Sequence, residues 1–329
     1  MPEVDKPSFH KENLPPHYYR RIGCYVVSTH YPEEIIRSSL SYKARPEDVY
    51  IATYPKCGTT WMQHIIYHIF SNGVPAQDIT EFTLKTPFLE RVGAEEVLRR
   101  PCPSAIKTHT PFDPERFSKH AKYIYVARNP FDCCVSFYYH TRHFPVYQFE
   151  NGTFDEFFEM FMKGEVDFGD YFDHLLSWYK YKDEENVLFL TYEDIKKDTR
   201  HWILKIADFL GNKYGENLRE DPSVLDRILE LTSVSKMKEA ARNERQLQVK
   251  MLWDTPREKL PRWAALTLRA SGYLSRKPMT GDFVRKGVVG DWRNHFSEEQ
   301  VDRMKQRIAE KTAGSDVMQL WKGMKICEA

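Results

Sequence analysis

The sequence has little of what marks membrane, secreted or nucleic-acid-binding proteins. No apolar run approaches the roughly 18–20 residues that a membrane-spanning helix needs, and residues 1–23 lack the apolar core of a signal peptide and the composition of a transit peptide. The 48 Lys and Arg residues nearly balance the 47 Asp and Glu residues, so no global positive field attracts nucleic acid or an anionic membrane. We therefore expect a cytoplasmic protein without nucleic-acid or membrane partners, in which any anion is recognised locally.

Cysteine is sparse and irregularly spaced. No CxxC pair is present, and a chain of 329 residues can bury a core without disulfides. The aromatic content of 14% excludes intrinsic disorder. We expect reduced thiols and no structural zinc or other metal site from the six cysteines: Cys24, Cys57, Cys102, Cys133, Cys134 and Cys327.

Strands and helices alternate along the chain. Four runs rich in β-branched and aromatic residues predict strands, at 49–54, 105–108, 123–127 and 187–191. Each is separated from the next by residues that can form a helix, which favours a central, mainly parallel β-sheet flanked by helices. No linker divides the sequence. We expect a single α/β domain over residues 1–329, with residues 1–30 as an N-terminal extension.

Helices are predicted from apolar spacing and from their end signals. One begins near Trp61 and stops at Asn72-Gly73. Others are expected at 131–143, 199–210, 223–231 and 234–242, and a final one behind Ser297. Residues 243–283 have weak periodicity and are rich in Arg, Lys, Trp and Pro, so we interpret them as a lid-like insertion whose Trp253 and Trp263 either touch substrate or hold the lid.

The segment 54–61, with the sequence YPKCGTTW, lies between a predicted buried strand and a helix N-terminus. Free backbone N–H groups and the helix dipole favour an anion at such a position. The order is not that of a Walker A motif, because Lys56 precedes Gly58, and this disfavours an ATP-dependent kinase. From the loop alone, a well-capped strand-to-helix turn without a ligand remains an alternative.

This loop resembles the YPKSGTTW signature of the cytosolic sulfotransferases, which use 3′-phosphoadenosine 5′-phosphosulfate (PAPS). Residues 285–292, RKGVVGDW, resemble the second signature of that family, RKGxxGDWK. Further matching segments lie in the family's order at 107–109, 128–136 and 192–194. The resemblance implies a PAPS-dependent sulfotransferase (EC 2.8.2) with a P-loop-like strand, loop and helix, in which residues 243–283 form a longer lid than usual, as in an insect member.

The resemblance also implies roles for individual residues. His109 would be the general base, Lys56 would neutralise charge on the leaving group, and Lys107 and Ser136 would assist them. PAPS has a 3′-phosphate and a 5′-phosphosulfate, and the residues supply an anion pocket for each end. The cofactor would be held by Lys56, Cys57, Gly58, Thr59, Thr60, Trp61, Arg128, Ser136, Tyr192, Thr232, Arg285, Lys286 and Gly287. Two positions depart from the family: Cys57 replaces a serine, and Val234 replaces a common aromatic residue.

The acceptor site is less well defined by the sequence. Phe88 and His140 match positions that line the pocket in relatives, and Phe82 and Tyr139 belong to the same aromatic cluster. An apolar slot around a hydroxyl suits a small phenolic, catecholamine or alcohol acceptor. The histidine at position 140, where relatives commonly have phenylalanine, indicates a more polar acceptor such as the biogenic amines dopamine or octopamine.

Three alternatives stay open at this point. One is a non-catalytic paralogue that binds 3′-phosphoadenosine 5′-phosphate (PAP) or another ligand without turnover, and another is a dehydratase that sulfonates a retinoid-like alcohol and then eliminates water. A lumenal, membrane-tethered carbohydrate sulfotransferase would share the PAPS loop, but no anchor is evident. The dimer motif of many relatives, KxxxTVxxxE, is degenerate at 293–302, so we do not predict that dimer and the oligomeric state stays open.

Overall fold

The computed structural model describes residues 18–23 and 25–324. Six strands are present in this part of the chain: β1 (Tyr19–Ile22), β2 (Tyr25–Ser28), β3 (Val49–Thr53), β4 (Ile106–Thr108), β5 (Lys122–Ala127) and β6 (Val187–Thr191). Fifteen α-helices accompany them within the same residues: α1 (Glu33–Ser41), α2 (Thr59–Phe70), α3 (Ile79–Lys85), α4 (Leu89–Val92), α5 (Ala94–Leu98), α6 (Pro130–His143), α7 (Phe154–Lys163), α8 (Tyr171–Tyr179), α9 (Tyr192–Lys197), α10 (Thr199–Leu210), α11 (Asn212–Glu220), α12 (Pro222–Leu231), α13 (Val234–Asp254), α14 (Arg262–Ser271) and α15 (Glu298–Lys311). Short 3₁₀ helices lie at Pro145–Tyr147, Arg257–Lys259, Gly272–Ser275, Asp291–Asn294 and Val317–Trp321.

The central sheet is parallel and has the strand order β4-β3-β5-β6. In register, Ile51 of β3 lies opposite Lys107 on one side and Ile124 on the other. All four predicted strands belong to this sheet, so the predicted α/β class with a mainly parallel sheet is confirmed. Because the strands are parallel, the loops that leave their carboxyl ends lie along one edge.

Both faces of the sheet are covered by helices. Successive side chains of a strand point to opposite faces: Tyr50 and Ala52 of β3 belong to one apolar cluster, and Ile51 belongs to the other. The first cluster includes aromatic residues of α6, α7 and α8, and the second includes aliphatic residues of α2, α10 and α12. This burial on both faces explains why β3 and β5 read as continuous apolar runs.

The predicted helix ends largely match the structure. Asn129 caps α6 by accepting a hydrogen bond from the N–H of Asp132, and Ser297 begins α15 with a capping box that includes Gln300. The helix predicted at 199–210 has those bounds in the structure and ends before Gly211. None of the helices in the described residues is long and apolar enough to cross a membrane.

The helix predicted at 234–242 is longer in the structure. The helix predicted to end at 242 continues to Asp254 as α13, and α14 follows after a short 3₁₀ turn. The apolar periodicity is weak because the inner side of α13 borders a cavity and carries polar residues there. The cavity-lining residues of α13, of which only Glu244, Arg245 and Gln248 are polar, nevertheless recur at the spacing that one side of a helix requires: Met237, Ala241, Glu244, Arg245, Gln248, Met251 and Leu252.

The N-terminal hairpin lies inside the stretch that the sequence assigned to an extension. Strands β1 and β2 pair antiparallel, and their Ile22 and Val27 are buried in a cluster with Ile36 and Phe168. The described residues of this hairpin are therefore packed into the folded unit. Residues 1–17 of the proposed extension lie outside the described residues.

Candidate active site

A cavity of about 720 Å³ lies at the carboxyl edge of the sheet. Its wall is formed by the loop after β3, the end of β4, one side of α6, the inner side of α13 and the segment 283–288. Most of the residues selected from the sequence meet in this wall, although they are far apart in the chain. They are Lys56, Gly58, Thr59, Thr60, Trp61, Phe82, Phe88, Lys107, His109, Arg128, Ser136, His140, Tyr192, Thr232, Arg285, Lys286 and Gly287.

The loop between β3 and α2 has an unusual backbone. Lys56 adopts a φ of 71° and Gly58 a φ of 101°. A Cβ atom at Gly58 would lie 2.9 Å from Cδ2 of Tyr192, so both the backbone angle and the close contact require glycine. Gly58 is the N-cap of α2 but provides no side-chain cap. The first amides of α2 therefore stay available for an anion, which the helix dipole also favours.

Two buried lysines stand in this wall. Burial, with Lys107 and Arg128 nearby, lowers the pKa of Lys56 to about 7. Burial, with Arg91 nearby, lowers the pKa of Lys107 to about 8. The Nζ atom of Lys56 lies 4.2 Å from the ring centroid of Phe283, and that of Lys107 lies 4.2 Å from the ring centroid of Phe88. An anion placed between these lysines would raise both pKa values.

His109 is held as a neutral imidazole with a defined tautomer. Its Nδ1 atom lies 2.9 Å from the carbonyl oxygen of Thr53, and because a carbonyl only accepts, Nδ1 carries the hydrogen. Burial, followed by the charge of Lys107, holds the pKa of His109 well below its usual range. The imidazole is therefore neutral around pH 7, with its unprotonated nitrogen at Nε2. This is the state that a general base requires.

A second group of cations, Arg128, Arg285 and Lys286, also lines the cavity. Arg128 donates from Nη1 to the carbonyl oxygen of Lys56 over 3.1 Å, and its guanidinium lies 4.4 Å from the ring centroid of Tyr192. Arg285 and Lys286 both contact Asp291, at 2.5 Å and 2.7 Å. The Nε atoms of Arg128 and Arg285 are buried without a hydrogen-bond partner. Unpartnered guanidinium nitrogens in a cavity wall suit an anionic ligand.

Asp132 of α6 fixes the segment that directly follows Gly287. Its carboxylate accepts hydrogen bonds from the N–H groups of Gly290, over 2.6 Å, and Trp292, over 3.0 Å. Sequence reasoning missed Asp132 and Asp291, although each lies inside a segment that it had singled out. The sequence did contain a signal for them, because each acid lies a few residues from cations whose side chains must be oriented.

Trp61 and Tyr192 form an aromatic corner of the cavity. Their ring centroids lie 5.5 Å apart, at an interplanar angle of 63°. The Nε1 atom of Trp61 donates to the carbonyl oxygen of Thr232 over 3.0 Å, which fixes the indole. The hydroxyl of Thr232 donates to Ile228 within α12. Thr232 thus positions Trp61 through its backbone.

The other end of the cavity carries the aromatic residues expected to bind the acceptor. The rings of Phe88 and His109 lie 5.1 Å apart, centroid to centroid, in an edge arrangement. Ser136, His140 and Phe144 share one side of α6 at four-residue spacing and all line the cavity. Burial, followed by the charge of Lys56, holds the pKa of His140 well below its usual range, so this ring is neutral.

Two of the selected residues do not line the cavity. Tyr139 lies on another side of α6, where its ring packs 4.8 Å from the guanidinium of Arg285. Cys57 is buried with its Sγ atom 3.8 Å from that of Cys133, and its N–H donates to the carbonyl oxygen of Tyr54. The backbone N–H of Cys57 is therefore already engaged within the loop.

The cysteines of the described residues are free thiols: Cys57, Cys102, Cys133 and Cys134. Cys24 and Cys327 lie outside the described residues. Within residues 18–23 and 25–324, no group of three or more His, Cys, Asp or Glu side chains is arranged to hold a metal ion.

Of the two lid tryptophans, Trp263 lines the cavity, whereas Trp253 donates from Nε1 to the hydroxyl of Ser275 over 3.2 Å.

Comparison with known proteins identifies the class to which this fold and site belong. The family model described as "Sulfotransferase domain" matches residues 46–263 and 267–316. Human sulfotransferase 1C2 is 36% identical over 287 residues, which cover 84% of this chain and 87% of that protein. The chain belongs to the sulfotransferase family, and it is a sulfotransferase.

Solved structures show the same fold. The crystal structure of mouse sulfotransferase SULT7A1 complexed with PAP is 29% identical, with a TM-score of 0.68, and the match covers 94% of this chain and 99% of that chain. Retinol dehydratase in a complex with retinol and PAP is 24% identical, with a TM-score of 0.61, and the match covers 89% of this chain and 88% of that chain. At 24% identity, the similarity to retinol dehydratase shows a shared fold and nothing further.

Proposed function

We propose that this sulfotransferase uses PAPS and transfers its sulfuryl group to the hydroxyl of a small phenolic, catecholamine or alcohol acceptor. The observation that carries the proposal is the meeting of a neutral, buried His109 with an uncapped helix N-terminus and buried cations in one cavity. A base that faces an anion pocket is the arrangement that transfer of an anionic group to a hydroxyl needs.

The residues present fit a nucleotide that is anionic at both ends. One end would be held by the first amides of α2 and by Lys56, and the other by Arg128, Ser136 and the segment 285–287. At Gly287, with a φ of 66°, a Cβ atom would lie 2.6 Å from Cγ2 of Val234, so this backbone can carry no side chain. The buried, unpartnered Nε atoms of the two arginines fit the same interpretation. PAPS, when bound, supplies an activated sulfuryl group.

His109 would take the proton of the acceptor hydroxyl on Nε2, because Nδ1 is engaged by Thr53. Lys56 and Lys107 would supply positive charge on the same side of the cavity as the helix N-terminus. Ser136 lies in the wall that Lys56 shares, which supports the role of positioning that lysine. Phe82, Phe88 and His140 would enclose the apolar part of the acceptor.

The test is transfer of ³⁵S from labelled PAPS, without added metal, to a panel that contains simple phenols, dopamine, octopamine, a steroid and retinol. We expect labelled product from at least one hydroxyl compound. The variant His109→Ala should lower turnover by about 10²–10⁴-fold and keep its affinity for PAP within twofold. Near wild-type turnover of this variant would remove His109 as the base.

The same assay separates the alternatives. PAP binding without transfer to any acceptor would favour a non-catalytic paralogue. Transfer from ATP that depends on Mg²⁺ would favour a kinase. Release of an unsaturated hydrocarbon instead of a stable sulfate ester of retinol would favour the dehydratase.

A further inference from the structure

Two arginines in the cavity wall are not needed for the proposed nucleotide site. Arg91 belongs to α4 and Arg245 to α13, and both line the cavity. They lie close to each other, since the charge of Arg91 lowers the pKa of Arg245. Both charges also lower the pKa of His30, which stands in the same wall. The guanidinium of Arg245 lies 4.8 Å from the ring centroid of Phe144, which lies 6.3 Å from that of His30, and this places the pair at the acceptor end.

A path of aromatic rings connects His109 with this pair. The ring of Phe88 lies 5.1 Å from that of His109, and the ring of Tyr31 lies 6.2 Å from that of Phe88, centroid to centroid. The ring of His30 follows 4.2 Å from that of Tyr31. The arginine pair is therefore separated from the base by a row of rings along the wall, which an elongated acceptor can follow.

Neither guanidinium is neutralised by a carboxylate. Within residues 18–23 and 25–324 neither forms a salt bridge: Arg91 lies 5.7 Å from the ring centroid of Trp263, and Arg245 lies 4.8 Å from that of Phe144. Arg245 donates from Nη2 to the carbonyl oxygen of Ser275 over 2.7 Å, and its Nε atom is buried without a partner. Burial lowers the pKa of Arg245 to about 10, so it stays charged at neutral pH. Two like charges brought together out of water favour an anion between them.

Three carboxylates line the same wall, Glu96, Asp167 and Glu244, and Glu96 forms an ion pair with Arg99. Asp167 accepts hydrogen bonds from the hydroxyl of Tyr147, over 2.6 Å, and from the N–H of Ser28. Burial raises the pKa of Asp167 to about 7, so its charge is only partial at neutral pH. Glu244, which faces Arg91 and Lys107, lies 3.0 Å from Nε2 of His64. The acceptor end therefore has more positive than negative charge, which disfavours an amine.

We propose that the acceptor carries a carboxylate at the end opposite its hydroxyl, and that Arg91 and Arg245 bind this carboxylate. Guanidinium groups match a carboxylate with paired, charge-assisted hydrogen bonds. The inference rests on the proposed function, whose acceptor it narrows from any small hydroxyl compound to an elongated hydroxy acid.

The test uses matched acceptors: ω-(4-hydroxyphenyl)alkanoic acids of increasing chain length, the methyl ester of each, tyramine, and 4-nitrophenol as a neutral reference. For at least one chain length, the acid should have a kcat/KM at least tenfold above that of its ester, mainly through a lower KM. Arg91→Gln and Arg245→Gln should each reduce this preference about tenfold. Both should keep the kcat/KM of the ester and the affinity for PAP within twofold.

Two variants serve as controls. Arg242→Gln removes an exposed arginine of the same helix, which pairs with Asp282 on the outside, and should leave the preference unchanged. Arg245→Lys keeps the charge and should retain most of the preference, which a merely structural role of Arg245 would not produce. Unfolding midpoints of all variants would show whether each one folds.

The outcomes distinguish the two proposals. Conversion of 4-nitrophenol and the esters without any preference for an acid overturns the carboxylate site but leaves the proposed function intact. If tyramine is the best acceptor, the carboxylate site is also overturned, and Asp167 becomes the candidate group that binds the amine. Conversion of no acceptor overturns the proposed function. In that case, calorimetry that compares the binding of acid and ester to the PAP complex would show whether the arginines select a carboxylate.

Discussion

At the scale of single residues, burial in the site shifts the pKa values of its basic groups below those they have in water. Lys56 and Lys107 are ammonium groups whose pKa values burial has lowered to about 7 and about 8. His109 is an imidazole that burial keeps neutral. Each state has a purpose in the proposed reaction, since an arriving anion restores the lysine charges and a neutral histidine accepts a proton.

The lowered lysine pKa values predict proton uptake on PAP binding. At pH 8 the free protein should have Lys56 mostly neutral and Lys107 about half protonated, and the anionic ligand should raise both pKa values. The PAP phosphates are already ionised at pH 8, because their second pKa is about 6. We expect between about one and one and a half protons to be taken up per PAP. The measurement is calorimetry in buffers with different ionisation enthalpies.

Lys56→Met is the matching variant for this experiment. It should bind PAP more weakly and take up fewer protons than the wild type. Equal binding enthalpies in all buffers for the wild-type protein would mean that both lysines are already charged, contrary to the prediction.

Gly287 supports a second prediction at this scale. Gly287→Ala places a Cβ atom 2.6 Å from Cγ2 of Val234 and keeps a φ of 66°, which costs an alanine about 1–2 kcal/mol. We expect PAP affinity to fall at least tenfold. The double variant Gly287→Ala, Val234→Ala removes the clash and should recover part of the loss. PAP titration by calorimetry measures both.

Gly314→Ala is the control, because Gly314 has a φ of 78° and a Cβ atom added there would meet nothing within 4 Å. It carries a similar backbone cost away from the cavity, so it should lower the unfolding midpoint and leave PAP affinity unchanged. An identical PAP affinity in Gly287→Ala would show that segment 285–287 does not contact the nucleotide.

At the scale of elements, the site depends on contacts that fix one segment against another. The clearest is the carboxylate of Asp132 in α6, which holds the N–H groups of Gly290 and Trp292. It fixes the backbone directly after the cations of segment 285–287. The position of the second anion pocket therefore depends on a residue that does not line the cavity.

The variant Asp132→Asn tests this dependence. In this variant an amide NH₂ would face one of the two N–H donors. We expect the free energy of PAP binding to weaken by about 1–3 kcal/mol, which corresponds to roughly a tenfold to hundredfold weaker PAP affinity. Calorimetry with PAP and a thermal melt measure the two consequences separately.

Asp155→Asn is a matched change outside the site, because Asp155 accepts a hydrogen bond from Gln300 over 2.8 Å between α7 and α15. It should alter stability without altering PAP affinity. Unchanged PAP affinity in Asp132→Asn would refute the dependence of the pocket on this contact.

The elements also show what the sequence could and could not reveal. The unit of β3, loop and α2 was predictable because its strand run, its glycine and its helical spacing are contiguous. Tyr139 was misplaced because it neighbours His140 in sequence, whereas a helix turns adjacent residues to different sides. The four-residue spacing of Ser136, His140 and Phe144 was the available guide. The contacts of Asp132 join residues more than 150 positions apart, and no local pattern encodes them.

At the scale of the whole molecule, one cavity joins segments from residue 30 to residue 288. The family and the parallel sheet could be predicted because both depend on local motifs in a fixed order. The full length of α13 could not, because Glu244, Arg245 and Gln248 interrupt the apolar stripe by which helices are recognised.

A ligand that joins so many segments should stabilise the whole fold. PAP at 100 times its dissociation constant should stabilise the protein by about 2.7 kcal/mol, which should raise the unfolding midpoint by several degrees. Adenosine 5′-monophosphate at the same concentration lacks the 3′-phosphate and should raise it less. EDTA should change neither midpoint. The measurement is a thermal melt, and equal shifts with the two nucleotides would argue against a second anion pocket.

The inner side of α13 has a consequence for the divergence of this protein. Glu244, Arg245 and Gln248 are only half-buried, so replacing them changes the free energy of unfolding less than replacing a core residue does. Substitutions at Glu244, Arg245 and Gln248 would therefore be accepted without loss of the fold. A duplicated copy of the gene could acquire a new acceptor preference through this one helix, while the nucleotide end, which tolerates no side chain at Gly58 or Gly287, stays the same.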